Sequence, residues 1–175
     1  MKLEFYLAHP FEMRKEIREW ELEIEKLLEI TLINPFYDGE GREDIQKIDK
    51  GLIIPRTIKS KEGGLDIVNK DLRLIEKAKD GIVAFIEKNK MSVGTPMELF
   101  YNSRILQKST YVITNDLPGH PWIVGLATKV FEDRDKFVKF LYKQYYEKNI
   151  NRPILGINGS VWTQNSIGIY KKNIK

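Results

Sequence analysis

Apolar residues along the chain fall into two alternating patterns. Leu3 to Ala8 (LEFYLA) is a short, largely apolar run that stops at His9-Pro10, the signature of a buried strand ending in a loop. From Glu12 to Ile30 the period changes: Met13, Ile17, Trp20, Ile24, Leu27 and Leu28 recur at helical spacing with charged residues between them, which predicts a long amphipathic helix. Thr31 to Pro35 reads as a second strand. Phe36 to Lys50 carries Asp-Gly and Glu-Gly turn signals without a period, so a loop across the mouth of the fold is expected there. Residues 51–66, with Pro55 and Gly63-Gly64 as breakers, receive no assignment.

The alternation then resumes. Ile67 to Lys79 places Ile67, Leu72, Ile75 and Ala78 on one helical face, and Asp80-Gly81 turns into the strand Ile82 to Ile86. After a loop to Gly94, Thr95 to Leu106 is predicted helical, with Thr95 as N-cap, Pro96 first in the helix and Glu98 in its opening turn. Thr110 to Thr114 is a fourth strand, Ala127 to Phe131 an edge strand, and Asp133 to Tyr146 a final helix. The tail from Asn149 to Lys175, with Asn158-Gly159, reads as a hairpin or an extended arm.

Strands alternating with helices predict an α/β fold: a flavodoxin-like (Rossmann-like) three-layer sandwich around a parallel sheet of about five strands. Residues 1–148 form the domain in this reading, and 149–175 an extension of it. In open parallel sheets, ligands sit beyond the C-terminal strand ends. That directs attention to segments 8–11, 34–44, 87–95 and 115–122.

Composition narrows the function classes. Apolar residues make up 42% of the 175 residues and charged residues 31%, which fits a globular domain. With no cysteine, disulfides and cysteine-based zinc sites are excluded, and the two histidines have no metal-site spacing. A net charge of +4 permits an anionic ligand, but no dense basic stripe with interleaved aromatics marks a nucleic-acid binder. No apolar run is long enough for a membrane span, and the first residues turn polar too soon for a signal peptide. A soluble cytoplasmic protein is expected, with neither nucleic acid nor membrane as partner.

Three pieces stand at the predicted mouth: Tyr6-Leu7-Ala8 closing the first strand, Asp71 in Asn69-Lys70-Asp71-Leu72, and Gly94-Thr95-Pro96-Met97-Glu98-Leu99 opening the helix after the middle strand. In order and spacing, across residues 3–131, this set resembles the nucleoside 2-deoxyribosyltransferases and the related 2-deoxynucleoside 5′-monophosphate N-glycosidases. The resemblance implies cleavage of an N-glycosidic bond. Glu98 would be the nucleophile that forms a covalent deoxyribosyl ester, Asp71 would handle the proton at the base, and Tyr6 would orient Glu98. It implies no cofactor and no metal, a nucleoside or nucleotide substrate, and a homo-oligomer of two or more chains. Placement at a helix start would keep Glu98 ionised. Each residue also has a structural reading: Glu98 as a capping-box acid, Asp71 as a solvated helix residue, Tyr6 as a core aromatic.

The chain departs from the transferase pattern at Ser92, where those enzymes carry an aspartate. A serine there resembles the monophosphate hydrolases and suits a 5′-phosphate, although a local turn bond explains it equally well. Gly94, His9, Arg14 and Pro35 complete the candidate substrate-binding set. His9 stands where the family often has glycine, and Arg14 could meet a phosphate through its planar fork. His120 and Trp122 lie where the family borrows a residue from a neighbouring subunit. A non-catalytic nucleotide sensor and a flavin-binding domain of the same topology are the competing classes.

Overall fold

The computed structural model describes residues 2–55, 58, 60–90 and 92–145, together with the backbone of 154–155, 161–165 and 168–172. Five parallel strands form the central sheet: β1 (Glu4–Ala8), β2 (Thr31–Ile33), β3 (Gly81–Phe85), β4 (Thr110–Ile113) and β5 (Lys129–Phe131). Their spatial order is β2-β1-β3-β4-β5, the flavodoxin-like arrangement, so the predicted fold class holds.

The strands are buried on both sides, and strand parity decides which layer each side chain joins. Phe5, Leu7, Val83, Phe85, Tyr111 and Ile113 face one way, where they pack with α1 (Arg14–Leu28) and α6 (Arg134–Tyr145). Tyr6, Ala8, Ile82, Ala84 and Val112 face the other way, toward α3 (Lys61–Lys77) and α4 (Gly94–Phe100). On the first side Trp20, Phe85, Tyr111, Phe131 and Phe137 stack edge-on or tilted, with ring centroids 5.2–6.2 Å apart. The second side carries smaller strand residues, among them Ala8, Ala84 and Val112, beside Tyr6.

Several elements differ from the sequence prediction, each for a local reason. A 3-10 turn, Phe11–Met13, precedes α1. Helix α3 begins at Lys61, running through the Gly63-Gly64 pair, because the Ser60 hydroxyl accepts a bond from the Gly63 N–H at 3.0 Å and starts the helix early. The predicted loop 36–50 contains α2 (Arg42–Asp49), which buries none of its residues; its only apolar residues, Ile45 and Ile48, are too few to read as a period from sequence. Acidic Glu43 and Asp44 in its first turn and Lys47 in its last suit the helix dipole. Helix α4 starts one residue before the predicted N-cap and continues as a π-helical segment, Tyr101–Ile105. A short α5 (Pro121–Leu126) occupies part of the expected loop before β5.

In the tail, β6 (Ile154–Leu155), β7 (Val161–Asn165) and β8 (Gly168–Lys172) pair antiparallel in one three-stranded sheet. The expected Asn158-Gly159 turn lies outside the described residues. Among the described residues no helix is long and apolar enough to cross a membrane.

Gly81 sets the close approach of β3 to the chain entering β4. Its φ is +112°, and a Cβ there would lie 1.9 Å from the Ser109 carbonyl oxygen, which accepts the Ile82 N–H bond at 3.0 Å. Gly64, by contrast, sits in α3 with nothing within 4 Å of a Cβ. The two glycines should therefore respond to alanine with opposite sign. In urea unfolding, Gly81→Ala is expected to lose about 2–4 kcal/mol through backbone strain and overpacking. Gly64→Ala is expected to gain about 0.5–1 kcal/mol by lowering the entropy of the unfolded chain. Equal responses at both positions would contradict this account of Gly81.

Candidate active site

Tyr6 lies wholly buried on the α3/α4 side of β1, and its hydroxyl donates to Glu98 Oε1 at 2.7 Å. Leu99 and Thr95, both buried, fix the rotation of α4 that brings Glu98 to the sheet. Glu98 returns no bond to Thr95, so the capping-box reading does not describe it. Because α4 starts at Gly94, Glu98 is its fifth residue, two positions beyond the third place expected from sequence and outside the first turn. Dipole stabilisation is strongest in the first turn, and desolvation outweighs it here. Burial pushes the Glu98 pKa up to about 7; the Tyr6 hydrogen bond opposes this, Asp71 adds to it, and Lys70 opposes it. The expectation of a firmly ionised Glu98 is therefore corrected: near neutral pH both of its protonation states are accessible.

Asp71, on α3, belongs to the same cluster, since its charge acts on both Tyr6 and Glu98. It is partly buried rather than solvated. Burial raises its pKa, and the neighbouring Lys70 ammonium opposes the rise. Lys70 Nζ stands 3.4 Å from Asp71 Oδ1 and donates to the Pro35 carbonyl at 3.1 Å. Asp71 Oδ1 is shielded from solvent and, ion pair apart, accepts no hydrogen bond. The Tyr6 phenol is held well above its ordinary pKa, first by burial and then by the two carboxylates, so it serves as a donor.

The structure thus brings Tyr6, Asp71 and Glu98 together, with Pro35 joined to them through Lys70. The remaining predicted residues have other surroundings. Ser92 Oγ accepts from the Thr95 N–H at 3.2 Å and lies 2.9 Å from the Thr95 hydroxyl, which is the local turn bond. Gly94 is the first residue of α4, with nothing within 4 Å of a Cβ.

His9 is buried at the end of β1, its ring centroid 5.1 Å from that of Phe36 and its Nδ1 3.1 Å from the Pro10 carbonyl oxygen. Burial pulls its pKa down to about 4, so the imidazole is neutral near pH 7. Arg14 donates through Nε to Asp49 Oδ1 at 3.0 Å and from its fork to the Phe11 carbonyl at 3.0 Å, and it lies over the Phe11 ring. His120 and Trp122 stand exposed at the start of α5.

Two residues of consequence escaped the sequence reading. Asp49 takes Arg14 on one carboxylate oxygen and the Tyr37 hydroxyl on the other, at 2.7 Å, and so holds α2 against the start of α1. No periodic segment contains it, so no sequence signal pointed there. Lys70 was visible as the neighbour of Asp71, and its inward course was not.

Burial shifts both carboxyl groups toward the protonated form, Glu98 to a pKa of about 7, and one phenol donor stands beside them. One carboxylate can attack while the other delivers a proton. Among the described residues no group of three or more acidic or histidine side chains is arranged to hold a metal ion.

No family model matches the chain, and no curated protein matches it either. Among solved structures it is similar to a 2-deoxyribosyltransferase from the psychrotolerant bacterium Bacillus psychrosaccharolyticus. The identity is 22%, the TM-score 0.57, and the match covers 80% of this chain and 93% of the other. The likeness is one of fold.

Proposed function

We propose that this protein cleaves the N-glycosidic bond of a 2-deoxynucleoside or its 5′-monophosphate through a covalent deoxyribosyl ester on Glu98. The sugar then passes to another base or to water. The observation that carries this reading is the 2.7 Å hydrogen bond from the buried Tyr6 hydroxyl to Glu98, with Asp71 in the same cluster. The similar fold of a 2-deoxyribosyltransferase supports it.

In this reading an oxygen of ionised Glu98 attacks the anomeric carbon and the bond to the base nitrogen breaks. Its electron pair goes to the base, and protonated Asp71 supplies the proton. In the second half, water or an incoming base attacks the same carbon, the ester bond breaks to restore Glu98, and the acceptor's proton returns to Asp71. Tyr6 holds the attacking carboxylate in place and releases it as the ester forms. The arrangement calls for a neutral acid and an ionised nucleophile together; burial shifts both carboxyls toward the protonated form, Glu98 to a pKa of about 7, and Lys70 opposes this at each.

The first test is incubation with 2-fluoro-2-deoxynucleosides and their monophosphates, followed by mass spectrometry of peptides. A sugar adduct on Glu98 is expected. Glu98→Gln should lose roughly a thousandfold or more of the cleavage rate. Below the Glu98 pKa of about 7 the nucleophile is protonated, so kcat/KM should fall about tenfold per pH unit on the acid side. Nucleotide binding without cleavage, unchanged in Glu98→Gln, would instead establish the sensor.

Asp71 has its own signature. Asp71→Asn should lose about 10²–10⁴-fold on ordinary substrates. The loss should shrink on 7-methyl-2-deoxyguanosine, whose base already carries a positive charge and departs without a proton. An equal loss on both substrates would remove Asp71 from the acid role.

We also propose that the chain assembles as a homo-oligomer. A groove of about 300 Å³ lined by Phe100, Arg104, Pro121, Trp122, Gly125 and Leu126 opens to solvent, and Trp122 is 67% exposed. Apolar surface of this kind marks association sites. Light scattering should return at least twice the 20.5 kDa chain mass, and Trp122→Glu should lower it. A monomer at all concentrations would refute the assembly.

A further inference from the structure

Lysine is seldom buried unless it is paired. Lys70 lies on α3 beside Asp71, yet its side chain is only 20% exposed and runs inward beneath the loop after β2. A Cβ at Gly39 would lie 3.7 Å from Lys70 Cδ and 3.8 Å from the Pro35 carbonyl oxygen, so the loop closes down on the lysine stem. At its far end Nζ donates to that carbonyl at 3.1 Å and stands 3.4 Å from Asp71 Oδ1. One ammonium therefore joins the loop that ends β2 to the helix that carries Asp71.

We propose that Lys70 is a positioning residue of the carboxylate cluster: its ammonium pins the Pro35 loop to α3, holds Asp71 beside Glu98, and sets the charge both carboxyls experience. The proposal rests on the reading of Glu98 and Asp71 as the reacting pair. Among the described residues three titratable groups act on Glu98: the Tyr6 hydroxyl from β1, and Asp71 and Lys70 from α3. Tyr6 is a neutral donor and Asp71 is acidic, so Lys70 supplies the cluster's positive charge. It favours the ionised form of both carboxyls, against the burial that disfavours it. Without that charge, burial and mutual repulsion act unopposed except by the Tyr6 hydrogen bond, and the fraction of Glu98 able to attack at neutral pH falls.

A role confined to packing would survive replacement by a neutral residue that still reaches Pro35. Lys70→Gln keeps a donor for the Pro35 carbonyl and removes the charge, while Lys70→Arg keeps the charge. The experiment is a carbon-13 NMR titration of the carboxyl groups in full-length protein labelled at glutamate, with Glu98→Gln identifying the Glu98 signal. The Glu98 midpoint should rise by about half to one pH unit in Lys70→Gln and return to the parent value in Lys70→Arg.

The acid limb of kcat/KM should move by the same amount, with kcat reduced at neutral pH and KM nearly constant. An unchanged midpoint in folded Lys70→Gln, or an equal shift in both variants, overturns the proposal. Lys70→Met carries the same comparison where Lys70→Gln does not fold. The two readings fail separately. A parent protein that cleaves no nucleoside or nucleotide defeats the proposed reaction while the titration still reports on Lys70. An active parent with a flat titration defeats the Lys70 proposal alone.

Discussion

The hydrogen bond from Tyr6 to Glu98 joins residues 92 positions apart, and it exists only because strand parity and helix rotation agree. Side chains on a strand alternate between faces, so a slip of one residue in β1 would turn Tyr6 toward α1 and α6 and bring Leu7 to α4. Register is fixed on both sides: Tyr6 pairs with Ile33 of β2 and with Ile82 of β3. On the other partner, Thr95 and Leu99 are buried on α4, and these anchors leave Glu98 at the boundary between helix and sheet. The close approach at Gly81 belongs to the same constraint, since it seats β3 between β1 and β4.

Burial does two things at this site. It excludes water from the Tyr6–Glu98 bond, which strengthens it, and it makes each negative charge harder to hold. Helix position cannot offset the second effect, because Glu98 sits beyond the first turn of α4. What remains is local: one phenol donor and one ammonium against two carboxyls. Glu98, its pKa raised to about 7, is therefore responsive to protonation near neutrality. A carboxylate left in water would titrate well below that range.

The sheet was legible in the sequence because its strands are short apolar runs bounded by turns, and α1 and α6 because each carries an amphipathic period. The start of α3 was not, since Gly63-Gly64 reads as a break unless the Ser60 cap is known to form. Helix α2 was missed because only Ile45 and Ile48 mark its apolar face and turn signals precede it; polar contacts at Asp49 from Arg14 and Tyr37 secure it, and these partners lie 35 and 12 residues away. The meeting of Tyr6, Asp71 and Glu98 was legible as an ordered set of motifs. The surroundings of His9 and Arg14 were not. A histidine or arginine near a strand end reads as a ligand contact until the structure shows Phe36 against one and Asp49 against the other.

Charge balance bears on how a phosphate could share this site. Two cations near the strand ends are already engaged, Lys70 with Pro35 and Asp71, and Arg14 with Asp49 and Phe11. The Arg14–Asp49 pair is largely withdrawn from water, and removing one partner from such a pair leaves the other charge uncompensated. An anion that captured Arg14 would have to displace Asp49 and would loosen α2 with it. Beside Glu98 and Asp71 the same anion would meet two acids and a single ammonium. Electrostatics therefore favours an uncharged group at the carboxylates, as the deoxyribose and base of the proposed substrate would be. In the proposed reaction the phosphate of a nucleotide substrate would lie away from them; positions 92 to 97 at the start of α4 carry no acidic side chain.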